Sequence, residues 1–248
     1  MSKKSNPVVR SFLSRPMKNT VNKSIWIILP IVLLFLFSYA FAQQKQIESR
    51  DAAFYINRGF SYLDSKQYDQ AISDFTKALE INPMLANVHF VRGTAYYYKG
   101  QYDQALSDYN KAIELNPRLA DAYKGRGAIY IKKEQYDRAI SDYNKVLELN
   151  PSDYEAHNNL SWILATSKTV GLRNGKKALE LALKACELSN WENPSFFDTL
   201  AAAYARVGDF NNAVKWQVKA LESPKLNKNP EAQQRLKFYK ERKPWPAD

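Results

Sequence analysis

An all-α solenoid is the fold class this sequence predicts, and three observations carry that expectation. A 34-residue register is written three times between residues 52 and 153: Gly59, Gly93 and Gly127 keep it, as do Ala71, Ala105 and Ala139, and Pro83, Pro117 and Pro151. Tyr62, Tyr96 and Tyr130 share the register with Tyr68, Tyr102 and Tyr136 and with Phe75, Tyr109 and Tyr143. Repetition at a fixed period of roughly 20–50 residues marks stacked supersecondary units. Within each unit, apolar residues recur at helical spacing. Each unit then closes on Asn-Pro, at Asn82-Pro83, Asn116-Pro117 and Asn150-Pro151.

One unit can be taken element by element. Tyr55, Gly59, Tyr62 and Leu63 fall on one face of a first helix, and Ala71, Ile72, Phe75, Ala78 and Leu79 on one face of a second. Asp64-Ser65-Lys66-Gln67 is a short polar break suited to an antiparallel pair. Gly59, Gly93 and Gly127, with Ala71, Ala105 and Ala139, are small where the two helices must approach. A bulkier side chain there would overpack, at about 1–3 kcal/mol. The residue before proline is pushed out of the α region, so Asn82 ends the second helix. A single pair cannot bury its apolar face, so the pairs must stack.

The order Gly, Tyr, Ala, aromatic, Ala and Pro at this spacing resembles the tetratricopeptide repeat. The resemblance implies a right-handed α-solenoid of about five helix pairs. Three regular repeats are expected at 52–85, 86–119 and 120–153. A degenerate fourth at 154–193 keeps His157, Leu160, Ser161 and Leu164 but has 17 steps from Ser161 to Ala178, where earlier copies have 12. The excess is expected as a bulging insertion at 167–177, which contains Gly171 and Gly175. A fifth repeat at 194–227 carries Phe197, Leu200, Ala201, Tyr204, Phe210, Ala213 and Ala220. A capping helix at 228–243, with Leu236, Phe238 and Tyr239 among basic residues, and a tail at 244–248 complete the plan.

The N-terminal part has a different character. Residues 1–24 are basic and expected to be disordered, and residues 25–42 form an apolar run without a charge. That run is at the lower edge of what spans a bilayer as one hydrophobic helix. It ends Ala40-Phe41-Ala42, a small-x-small pattern of the kind cut by signal peptidase. Two readings follow: a signal peptide cleaved after Ala42, or an uncut single-pass transmembrane helix with its basic side in the cytoplasm. Translation from Met17 rather than Met1 would give the first reading a basic segment of ordinary length. In both, a polar linker at 43–51 leads into repeats that lie in the cell envelope outside the cytoplasm, periplasmic, secreted or membrane-tethered.

Charge is concentrated at the ends. Of the formal +11, the first 42 residues carry +6 and residues 225–248 carry +4, which leaves +1 for the repeats. A nearly neutral solenoid offers no basic stripe, so no nucleic-acid partner is expected. Cys186 is the single cysteine, which excludes an intramolecular disulfide.

No catalytic residue, metal ligand or cofactor motif is expected, and no small-molecule substrate. His89 and His157 share the repeat position of Tyr55, Tyr123 and Phe197, and are expected as fillers between helices. Asp69, Asp103 and Asp137, with Asp74, Asp108 and Asp142, recur in the second helices and are expected to complement the helix dipole. Function must then lie in surface. In tetratricopeptide arrays the first helices line a concave groove that takes extended peptides or partner helices. The resemblance places Ala53, Ile56, Phe60 and Leu63 there from repeat one, and Asn87, Phe90, Thr94, Tyr97 and Tyr98 from repeat two. Repeat three contributes Asp121, Lys124, Ala128 and Ile131, and repeat four Glu155, Asn158 and Trp162. The slots that chaperone-binding members fill with Lys, Asn and Arg hold Ile56 and Phe60 here, so a clamp for a terminal carboxylate is not expected. What remains is an aromatic groove of Phe60, Phe90, Tyr97, Tyr98 and Trp162, although Phe90 and Tyr97 are equally suited to packing between repeats. The expected function is a non-catalytic protein-interaction scaffold, or alternatively a membrane-anchored assembly or secretion factor within a larger complex.

Overall fold

A computed structural model describes the backbone of residues 23–246, with side chains described for 32–39, for 43 and for 52–246. It divides into two units, residues 1–50 and 51–248. Among the described residues every regular element is helical. Helix α1 (Lys23–Asp64) is continuous through the expected linker at 43–51, and its last part begins the repeat unit. The helices that follow are α2 (Tyr68–Ile81), α3 (Ala86–Tyr98), α4 (Tyr102–Leu115), α5 (Ala120–Lys132) and α6 (Tyr136–Leu149). Then come α7 (Tyr154–Thr166), α8 (Gly175–Leu188), α9 (Pro194–Arg206), α10 (Phe210–Leu221), the short α11 (Pro224–Asn227) and α12 (Pro230–Lys240). The repeat unit is a solenoid of consecutive helix pairs, α3 on α4, α5 on α6, α7 on α8 and α9 on α10, with α12 closing against α10.

The repeated residues explain the repeated geometry. Phe75, Tyr109 and Tyr143 of the second helices are fully buried. Each packs against the glycine of its own first helix: a Cβ on Gly59 would come within 2.6 Å of Phe75, on Gly93 within 2.9 Å of Tyr109, and on Gly127 within 3.1 Å of Tyr143. Ala71, Ala105 and Ala139 have no solvent exposure. The turn between the helices is closed by Gln67 N–H to Tyr62 O, Gln101 to Tyr96 and Gln135 to Tyr130, at 2.8–2.9 Å, the six-to-one bond of a Schellman ending. Such an ending needs one residue in the left-handed region. Gly100 supplies it at φ 76, whereas Lys66 (φ 59) and Glu134 (φ 56) adopt it with a side chain. At the other end, Asn82, Asn116 and Asn150 each accept from the backbone N–H two residues on, at 3.0–3.2 Å. That Asx turn carries the chain around the following proline.

Two expectations need correction. The inserted loop is shorter than expected: it runs 167–174 around a 3-10 turn, Val170–Leu172, and Gly175 already opens α8. Asn174 caps that helix by accepting from Lys177 N–H at 3.0 Å, which draws Lys177 into the first turn. Gly175 is there for close approach, since a Cβ would sit 3.0 Å from the Arg206 carbonyl oxygen. The acidic residues of the second helices also do more than complement a dipole. Asp74, Asp108 and Asp142 are buried six residues into their helices and accept paired bonds from Arg58, Arg92 and Arg126, at 2.6–2.9 Å. Asp69 and Asp103 bind lysines of the next repeat, Lys99 and Lys133.

In the first unit, Leu33 to Phe37 are 57–77 % exposed. Among the described residues no helix is long and apolar enough to cross a membrane. The side chains of the expected cleavage residues Ala40 and Ala42 and of residues 25–31 lie outside those described, as do Met1 and Met17, the two candidate starts.

Candidate partner-binding cavity

First helices of successive pairs lie side by side, α3 against α5 and α7 against α9. Their shared face holds a cavity of about 360 Å³. Repeat two contributes Phe90, Thr94, Tyr97 and Tyr98; repeat three contributes Asp121, Lys124 and Ala128; repeat four contributes Glu155 and Asn158. The structure therefore brings together nine of the sixteen expected groove residues.

The others lie elsewhere. Ile56 and Phe60 line a second cavity of about 460 Å³ with Met84 and Asn87. Trp162 lines neither cavity; it packs into the core around Phe196, Phe197 and Leu200, with the Arg235 guanidinium 5.1 Å over its ring. That placement corrects the expected aromatic groove, and its physical reason is the capping helix. Arg235 of α12 is held by buried Asp198, at 3.0 and 2.7 Å, and covers the indole.

Five wall residues were not expected: Tyr109, Tyr143, Gly125, Asn159 and Phe196. Tyr109 passes from α4 between α3 and α5. Gly93 lies on one side of its ring and Gly125 on the other, where a Cβ would come within 2.7 Å. The ring reaches through to the cavity, and its hydroxyl is 3.4 Å from Thr94 Oγ1. Burial, only partly offset by Thr94, pushes its pKa up to about 12. Tyr143 of α6, packed on Gly127, also reaches the cavity, and burial raises its pKa above the ordinary tyrosine value. The signal available in the sequence was the change from Phe75 to Tyr109 and Tyr143. A buried phenol needs a polar neighbour, which a purely apolar slot would lack.

Electrostatics come from one lysine and three carboxylates. Lys124 Nζ lies 2.9 Å from Glu155 Oε2, 3.1 Å from Asp153 Oδ2 and 3.4 Å from Asp121 Oδ1. Burial disfavours its charge, but the bonds to Glu155 and Asp153 more than compensate and raise its pKa above that of a free lysine. The ammonium donates a hydrogen bond to Asp153 and is ion-paired with all three carboxylates. On the rim, Tyr98 is 60 % exposed and stacks on Tyr68 at 5.5 Å between centroids. Phe90 sits 5.9 Å from Tyr109 and also packs between repeats, so it serves both roles left open for it. Among the residues that line the cavity, two polar atoms are buried without a hydrogen-bond partner, Asn158 Oδ1 and the Tyr143 hydroxyl. Asn159 stands near enough to that hydroxyl to temper its pKa rise.

The histidines are not simple fillers. His89 Nε2 contacts the Pro83 carbonyl at 3.0 Å and its Nδ1 reaches Asp108 at 3.3 Å. His157 Nε2 contacts the Pro151 carbonyl at 3.0 Å. Both tie a first helix to the proline turn ahead of it.

Residues 52–85, 86–119 and 120–153 each match the Tetratricopeptide repeat family. No curated protein matches the sequence. Among solved structures the chain is similar to YrrB, described as a TPR protein with an unusual peptide-binding site. The identity is 22%, over 79% of this chain and 96% of that one, with a TM-score of 0.59. It is also similar to MamA (residues 41 to the end) from Desulfovibrio magneticus RS-1, at 21% identity over 72% and 97% of the chains and a TM-score of 0.60. A thermophilic TPR protein of Thermus thermophilus matches at 20% identity over 76% and 98%, with a TM-score of 0.55. At these identities the likeness is one of fold.

Proposed function

We infer that this chain, a tetratricopeptide-repeat protein, is a non-catalytic docking module that holds a segment of a partner protein against its first helices. The observation that carries this reading is the cavity shared by α3, α5, α7 and α9, where aromatic side chains surround polar atoms left without partners. Aromatic rings offer contact area at low entropic cost, and unsatisfied buried polar groups favour a ligand that completes them. YrrB, with the same fold, is described as having a peptide-binding site, which supports the reading. The test is capture of partners from a cell-envelope lysate by the wild-type chain and by a Phe90→Ala/Tyr98→Ala variant. Capture should fall at least tenfold while the helical circular-dichroism signal is retained. Equal capture by both proteins would remove this face from the function.

We also propose that the repeats work outside the cytoplasm, led there by residues 25–42 as a cleaved signal or a single-span anchor. The exposed apolar side chains from Leu33 to Phe37 favour a lipid or translocon environment for that helix and support the anchored form, a scaffold within an envelope assembly. N-terminal sequencing of the mature protein tests it. Gln43 as first residue means cleavage, an intact N-terminus in the membrane fraction means an anchor, and an intact cytosolic protein rejects both.

A further inference from the structure

We propose that the cavity between α3 and α7 selects a partner segment bearing an arginine side chain, and that it rejects a free carboxylate. The proposal rests on the docking reading above and adds the chemistry of the occupant. Four observations converge on it. Lys124, among the described residues the one cation lining the cavity, is already held by Asp121, Asp153 and Glu155. Asp121 and Glu155 line the cavity beside that one ammonium, so its wall is net negative, and an incoming acid would compete with three carboxylates already paired to the lysine. Lys132, 5.8–6.0 Å from the Tyr102 and Tyr97 rings, does not line the cavity.

The unsatisfied atoms are acceptors of the right kind. Asn158 Oδ1 is buried with no donor, and the Tyr143 hydroxyl, fully buried, has an oxygen free to accept. Phe90, Tyr97 and Tyr98 supply ring faces beside them. A guanidinium stacks on aromatic faces and presents five donors in a planar fork, whereas an ammonium is a compact, strongly hydrated point charge. Arginine therefore answers the rings, the acceptors and the charge at once. Lysine answers the charge alone.

The probes are capped octapeptide libraries, N-acetylated and C-amidated, with one central position fixed as arginine, lysine, citrulline or glutamate. The full-length chain is the immobilised receptor. Retention of the arginine library at least tenfold over citrulline and glutamate, and above lysine, is the expected result. It should weaken from 50 to 500 mM salt. An Asp121→Asn/Glu155→Gln variant should reduce the preference for arginine over citrulline to less than threefold. Circular dichroism on the variant separates lost charge from lost fold. Lys124→Met, which frees carboxylates instead of removing them, provides the second variant and should raise arginine retention. Equal retention of citrulline and arginine, or preference for glutamate or for uncapped C-termini, would overturn the proposal while leaving the docking surface in place. No retention of any library, with Tyr98→Ala indistinguishable from wild type, would reject the docking reading itself.

Discussion

Arg92 shows at the scale of one residue how the repeats are joined. Its Nε and Nη2 donate to both oxygens of Asp108 in its own pair, at 2.8 and 2.7 Å, and its Nη1 donates to Thr76 of the preceding repeat at 3.1 Å. Arg126 repeats the pattern with Asp142 and Asn110. Removing one partner of a buried pair leaves the other charge uncompensated. Asp108→Leu should therefore cost about 3 kcal/mol in urea unfolding, while Asp108→Leu with Arg92→Met should recover most of that loss. Additive effects in that cycle would show that the pair is not coupled. Cys186 gives a second residue-scale prediction. It is fully buried among Ala182, Phe196 and Leu200, and burial pushes its thiol up to about 12. Alkylation at pH 8 should be on the order of a thousandfold slower in the native chain than in urea, because the thiolate is the reactive form. Of these features the sequence revealed the small, apolar character of the Cys186 environment but not the arginine pairs. Arg58, Arg92 and Arg126 share the 34-residue register with Asp74, Asp108 and Asp142, yet no local rule joins residues 16 apart on different helices.

At the scale of the element, the turn between paired helices separates what is written locally from what tertiary packing imposes. The Asn-Pro endings and the paired apolar faces are local signals, and the helices they predict are present from α2 to α6. The left-handed turn residue is only half visible. Gly100 announces it in repeat two, whereas Lys66 and Glu134 hold the same geometry against their own preference. A Cβ at Gly100 would meet no atom within 4 Å, so the cost of a side chain there is conformational alone. Gly100→Lys should destabilise the chain by about 1 kcal/mol, and Lys66→Gly should stabilise it by up to about 1 kcal/mol. Thermal unfolding of both variants checks this, and opposite signs are the essential result. The candidate site was legible to a similar degree. First-helix positions such as Thr94, Tyr98 and Asn158 follow from the repeat register. Trp162 was misplaced because Arg235, 73 positions later in the chain, decides which way that side is covered. Tyr109 and Tyr143 were missed because a second-helix residue reaches the groove only where glycine or a slim neighbour leaves a passage.

For the repeat unit as a whole, stability is the sum of pairs and of the contacts between neighbours. Lys133 to Asp103 and Lys168 to Glu134 add exposed ties between successive repeats, each weak alone. The Arg58–Asp74 pair makes the unit acid-sensitive. Asp74 lies below the usual carboxylate range because the bonds from Arg58 outweigh burial, which pushes the other way. A carboxylate with a depressed folded pKa stabilises fully above its unfolded value, about 3.9, and loses that contribution as pH falls through the folded value. The melting temperature should therefore be flat from pH 7 to 5 and fall below about pH 4. The capping helix tests additivity more directly. In α12, Arg235 satisfies Asp198 of α9, the Ala232 carbonyl accepts from Gln217 of α10, and Tyr239 covers Ala201, Ala205 and Ala213. Deleting residues 229–248 would leave a buried carboxylate unpaired and an apolar surface bare at one end of the stack. In a nearest-neighbour array the damage stays local. Amide exchange should quicken at least tenfold in α9 and α10 and change less than twofold in α3 to α6. Equal acceleration in all of these helices would mean that the stack melts as one block, and the description by neighbouring pairs would fail.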